Sequence, residues 1–244
     1  MDEPIQKNAA AAENSQSKLS LAINLFTSPT ETFAALKHHP SKLFPLLLIA
    51  AGNALVMFWY FNIVDYSWYI DDVIAGLNLE ADQIEDTREG MEALSRTTMM
   101  GFALLGGFVG IFLMFLLQTV YLSLVAALRG DQYKFGHWFS LVCWSGLPFL
   151  LSAMGMAVTI LLSPNGQLSV YDLDPLALRN LGMVSNNESV QSLYNSVSLS
   201  MLWSLALILI GFNQWTGNGW FRSSVVVFAP YAAILGIWAY FALA

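Results

Sequence analysis

Charge is what this chain has least of. Lys and Arg number 10 and Asp and Glu 17 among 244 residues, so 11% of the chain is charged where a soluble domain carries about a quarter. The formal net charge is −7 and no basic stripe exists, which argues against a nucleic-acid partner. Cysteine is nearly absent. Cys143 stands alone inside an apolar run, which excludes an intramolecular disulfide and leaves a small buried apolar residue as its simplest role. The histidines make no metal site either: His38 and His39 are adjacent, so they diverge on a helix, and His137 lies elsewhere. No GxSxG elbow, HExxH helix or GxxxxGK[ST] phosphate loop occurs, which removes the usual warrants for hydrolase, metalloprotease or nucleotide-dependent chemistry. A protein without catalytic residues or cofactor is the expectation.

What the chain has instead is apolar length. Five stretches lack Asp, Glu, Lys and Arg altogether: Leu43–Val64, Thr97–Leu128, Trp138–Leu162, Val190–Phe212 and Ser223–Ala244. A hydrocarbon core about 30 Å thick needs roughly 20 apolar residues as helix, and all five qualify. Backbone polar groups in lipid must bond within their own segment, and these runs lack the alternation of a barrel strand. The fold class expected is therefore all-α: a polytopic integral membrane protein with five transmembrane helices. Residues 1–18 read as a disordered polar tail, and 19–244 as one membrane domain. The acidic start, with no apolar core before a small-residue cleavage site, does not read as a secretory signal.

Basic residues set orientation because they resist translocation. Lys7, Lys18, Lys37, Lys42, Arg129, Lys134 and Arg222 fall on one side of a five-span chain, and Arg88, Arg96 and Arg179 on the other. The amino terminus is thus expected in the cytoplasm and the carboxyl terminus on the opposite face. With it go two longer loops, Asp65–Arg96, strongly acidic, and Ser163–Ser189.

Local signals refine this. Ser28-Pro29-Thr30-Glu31 spells a capping box with proline at the first helical position. Leu19, Ile23 and Phe26 form an apolar stripe ahead of it, so the short helices here either lie in the membrane interface or pack against the bundle. Asp174-Pro175 through Gly182 suggests a short helix on the outer surface. Pro148 and Pro230 should bend their spans. Gly106 with Gly110, Ser196 with Ser200 and Ser204, and Ala232 with Gly236 are small-residue strips able to pack helices within one chain or between copies, so a homo-oligomer is an open expectation. Asn53 and Gln118 are the amides most clearly inside the membrane. Structural glue is their simpler role, and lining a polar path the alternative. The spans hold no ionisable group that an ion-coupled carrier would need.

Three blocks carry a resemblance. Leu25-Phe26-Thr27-Ser28-Pro29-Thr30-Glu31-Thr32-Phe33, with His39-Pro40 after it, precedes the first span. Leu128-Arg129-Gly130-Asp131-Gln132-Tyr133-Lys134-Phe135 continues into Trp144-Ser145-Gly146-Leu147-Pro148. Gly211-Phe212-Asn213-Gln214-Trp215-Thr216-Gly217 precedes the last span. Together they resemble the Yip1-domain family of five-span membrane proteins, in its bacterial branch. The aspartate-leucine-tyrosine-glycine-proline motif of the eukaryotic members is absent. The resemblance implies a cytoplasmic amino terminus, five helices and no catalytic residue or cofactor to carry over, with a bacterial cytoplasmic (inner) membrane as location. The function expected is a non-catalytic, partner-binding or membrane-organising protein serving trafficking or the envelope, in contact with the bilayer and other membrane proteins. Its contact residues would be Phe33, Lys37, Arg129, Lys134 and Gln214. The alternative is a small-solute permease or channel using Asn53 and Gln118.

Overall fold

The computed structural model describes residues 17–77, 79–163 and 165–243, without the side chains of Glu188, Ala242 and Leu243. The tail expected over 1–18 thus lies almost wholly outside the described residues. Within them the chain forms α1 (Lys18–Thr27), α2 (Pro29–His38), α3 (Leu43–Ile63), α4 (Tyr66–Ala75), α5 (Ala81–Glu92), α6 (Arg96–Leu128), α7 (Phe135–Ser145), α8 (Phe149–Leu162), α9 (Glu188–Ser196), α10 (Leu199–Thr216) and α11 (Trp220–Leu243). The one β feature among them is an isolated antiparallel bridge between Ala177 and Ser198.

Five units are long and apolar enough to cross a membrane: α3, α6, α7 with α8, α10 and α11. The chain is an all-α, multi-pass membrane protein. At 33 residues α6 is about 50 Å long, so it must tilt or project beyond a core of about 30 Å. The third unit lies at the centre. Every residue from Trp138 to Pro148 is buried, because α7 packs against α2, α3, α6 and α10. A helix apolar all round is stable only where neighbours or lipid cover it all round, and here neighbours do so. At its end Gly146 lies under the Phe115 ring, where a Cβ would collide with it. Pro148 cannot donate a backbone hydrogen bond, and the chain crosses Gly146–Pro148 on short-range turns: Leu147 N–H to Trp144 C=O at 3.1 Å and Phe149 N–H to Gly146 C=O at 3.0 Å. The bend expected at Pro148 is thus a break between two helices. Pro230 stays inside α11.

Three expectations are corrected. The run Val190–Phe212 is not one helix. Val197 and Ser198 are extended, and the backbone that would have continued the helix pairs sideways, Leu178 N–H with Val197 C=O and Leu199 N–H with Leu176 C=O, both at 2.9 Å. Asn187 caps the far end of α9, and at the break Ser198 Oγ accepts the Met201 N–H at 3.2 Å, so a side-chain oxygen supplies an acceptor that the interrupted ladder lost. The segment Asp174–Gly182 forms successive turns rather than a helix, because its backbone makes that bridge. The Ser28 side chain makes no capping bond; the Ser28 carbonyl instead accepts the Glu31 and Thr32 N–H groups at 3.1 and 3.2 Å.

The connecting segments gather at two ends. At the basic end α2 lies across α10, with the Trp215 indole N–H on the Phe33 carbonyl at 2.9 Å and Gly211 leaving room for the Phe33 ring. The Trp144 indole N–H and Ser140 hydroxyl both donate to the Ser41 carbonyl, at 2.7 and 2.8 Å, fixing the chain between α2 and α3. At the acidic end the first loop is two helices, α4 and α5, with Tyr69, Ile70 and Ile74 buried. There Tyr60 donates to the Leu168 carbonyl at 2.8 Å and Asp65 caps α4.

Candidate functional site: an uncharged cavity between the spans

All five spans wall a cavity of about 360 Å³. Ile49 and Asn53 come from α3, Gly110, Met114 and Gln118 from α6, Ser152 and Met156 from α8, Met201 and Ser204 from α10 and Tyr231 from α11. Two pairs fix its polar geometry. Gln118 Nε2 donates to the Tyr231 hydroxyl at 2.6 Å, joining α6 to α11, and Ser152 Oγ donates to Ser200 Oγ at 2.9 Å, joining α8 to α10. Asn53, by contrast, has no hydrogen-bond partner for its side chain among the described residues, and neither has Ser204. An amide at membrane depth without a protein partner is costly unless something else meets it. Charge is absent from the membrane-embedded wall. Asp174, at the mouth toward the acidic end, is the one ionisable lining residue besides Tyr231 among those described, and its Oδ1 already accepts the Leu176 N–H at 3.0 Å.

Asn195 lines both this cavity and a polar cleft of about 520 Å³ at the acidic end, which Asp72, Ser169, Arg179 and Trp238 help to enclose. The cations around that end all have partners. Arg88 pairs with Asp71, Arg96 lies over the Tyr66 ring at 5.9 Å, and Arg179 meets Asp172 at 3.5 Å and the Tyr171 ring at 5.5 Å. Burial, seconded by neighbouring Tyr66, pushes the Tyr69 hydroxyl above its ordinary range.

Of the residues picked out from sequence, Asn53 and Gln118 come together on this cavity, each on a different wall. The other five gather at the basic end. Phe33 is wholly buried beneath α10, so its side chain is core and offers no surface to a partner. Lys37 lies over the Tyr133 ring at 5.4 Å, Gln214 donates to the Thr30 carbonyl at 2.9 Å, and Arg129 and Lys134 are exposed. Tyr231, Ser152 and Asn195 were not legible as site residues. A tyrosine after Pro230 and serines in apolar runs carry no spacing that marks them, and only α11 crossing beside α6 brings Tyr231 to Gln118. Of the serine strip expected over Ser196, Ser200 and Ser204, the last two are buried on α10, whereas Ser196 is exposed at the end of α9, before the break.

The Yip1 domain family model matches residues 23–241. The chain belongs to the Yip1 domain family. That match runs from within α1 to near the end of α11, so the Yip1 domain includes every span and every residue of the cavity. No curated protein and no solved structure matches the chain.

Proposed function

We propose that this Yip1-domain protein is a non-catalytic membrane component that organises its bilayer and holds protein partners through its basic end, in a bacterial inner membrane with that end in the cytoplasm. One observation carries this. The three ion pairs among the described residues all lie at the acidic end, whereas Lys18, Lys37, Lys42, Arg129, Lys134 and Arg222 have no carboxylate partner among those residues. Such cations are free to meet anionic headgroups or an acidic protein, each near the surface contributing about 1 kcal/mol toward an anionic leaflet. Helix α1 supports the membrane half of the reading: Ala22 and Leu25 pack inward while Leu19 and Ile23, 63% and 60% exposed, form a second apolar face beside Lys18. Phe26 sets its ring against Trp203 of α10 at 5.6 Å, so the exposed stripe borders a membrane span. A photo-crosslinker at Gln132, in the basic turn, tests the proposal in native membranes. A defined protein or anionic-lipid adduct, lost in Arg129→Gln/Lys134→Gln, supports it. No adduct, together with unchanged membrane composition on deletion, ends it.

The cavity favours a second reading, a small-solute permease. Flux in proteoliposomes that persists after Asn53→Leu and Gln118→Leu would remove those residues from such a path.

A further inference from the structure

Where α6 meets α11, the cavity shares part of its lining with a second space. Met114, Gln118 and Tyr231 also line a groove of about 220 Å³ between α6 and α11, whose remaining wall is apolar: Leu117, Leu122, Ile208, Val227, Pro230 and Ile234, with Tyr121. Leu117 and Ile234 are largely exposed on the flank of the bundle, so the groove opens sideways into lipid, not into water. We propose that cavity and groove form one binding site for a neutral, hydroxyl-bearing membrane lipid, with its head among Asn53, Gln118 and Ser204 and one hydrocarbon chain between α6 and α11.

Three features select this occupant. The head must form hydrogen bonds, because Asn53 and Ser204 have no side-chain partner among the described residues and the Gln118 carbonyl oxygen is left over once its amide nitrogen serves Tyr231. It must be uncharged. A phosphate or ammonium at this depth needs a counter-ion, and the wall offers none except Asp174 at the mouth, which repels anionic heads. The ligand must also carry hydrocarbon, because the adjoining groove presents almost no polar group and is reached from the bilayer. A soluble solute would leave that groove unused.

The test uses the full chain in phosphatidylcholine nanodiscs doped with a diacylglycerol bearing a diazirine on one acyl chain. Label is expected on peptides of α6 and α11 that line the groove, with unlabelled dioleoylglycerol competing and neither dioleoylphosphatidylglycerol nor soluble glycerol doing so. Asn53→Leu should lower labelling about tenfold, the scale of one hydrogen bond. That substitution breaks no side-chain bond within the described protein. Gly110→Leu should abolish labelling by filling the cavity, and a Cβ there meets nothing within 4 Å, so the first atom added enters open space. Unchanged melting of both variants confirms that ligand contacts were lost. Label spread evenly over the lipid-facing flank, or indifferent to both variants, overturns the proposal. Competition by glycerol would overturn it in favour of a soluble solute, and competition by the charged lipid would refute the neutral head.

Discussion

Helix α6 and α7, the first half of the third span, are both apolar, yet they live in different solvents. From Trp138 to Pro148 the third span touches only protein, while along α6 few residues are buried and Phe102, Leu105, Leu113, Leu117 and Leu124 face outward. Glycines follow the same division. Gly146 and Gly211 are places where another element presses in, Phe115 on one and Phe33 with Leu141 on the other. At Gly106 and Gly236 a Cβ would meet nothing within 4 Å. The lesson is that lipid and protein are equally good solvents for an apolar side chain, so burial in the bundle is decided by shape and by hydrogen bonds.

That contrast can be broken. Truncating Trp138→Ala should have the largest effect, about 3–5 kcal/mol of lost stability, because the residue lies where no lipid tail can fill the gap. Thermal unfolding in detergent reads it, and a small loss would mean that α7 is not enclosed. Next comes Gly211→Leu, which forces Phe33 or Leu141 aside and should cost about 1–3 kcal/mol in the same assay. Replacing Trp215→Phe keeps an aromatic ring beside Tyr133, His137 and Trp138 and removes the indole N–H from the Phe33 carbonyl. A loss of about 1 kcal/mol is expected, with faster hydrogen exchange in α2 as the local readout. At the bottom of the scale, Leu105→Ala on the outer flank of α6 should stay within about 0.5 kcal/mol, lipid taking the place of the missing methyl groups. If it instead destabilises as much as Trp138→Ala, that flank is covered by a second copy or another protein, and crosslinking between copies would show which.

Much of the fold was legible. Charge-free runs of membrane length marked the five spans, and the blocks around Phe33, Gly130 and Trp215 carried the family. Less could be read at the acidic end. Asp65, Asp71 and Asp72 look like solvated charge in a list of residues, but the first caps a helix, the second pairs with Arg88 and the third accepts the Ser169 hydroxyl at 2.8 Å. Such pairings link residues up to 97 positions apart, and no local pattern encodes them. Of the cavity, Asn53 and Gln118 stand out in the sequence as amides in apolar runs, whereas Tyr231 becomes a site residue only through what it faces.

By itself the sequence determined the solvent and the number of crossings, because a charge-free run of some 20 residues has few ways to satisfy its backbone in lipid. It also divided the connecting segments into a basic and an acidic set, since Lys and Arg can simply be counted. Only the tertiary structure decided which span is central, where the fourth run breaks, and that five walls leave an amide-lined space between them. Those outcomes depend on side chains meeting across helices far apart in the chain, and helix packing in a membrane is set by fit that no single segment contains.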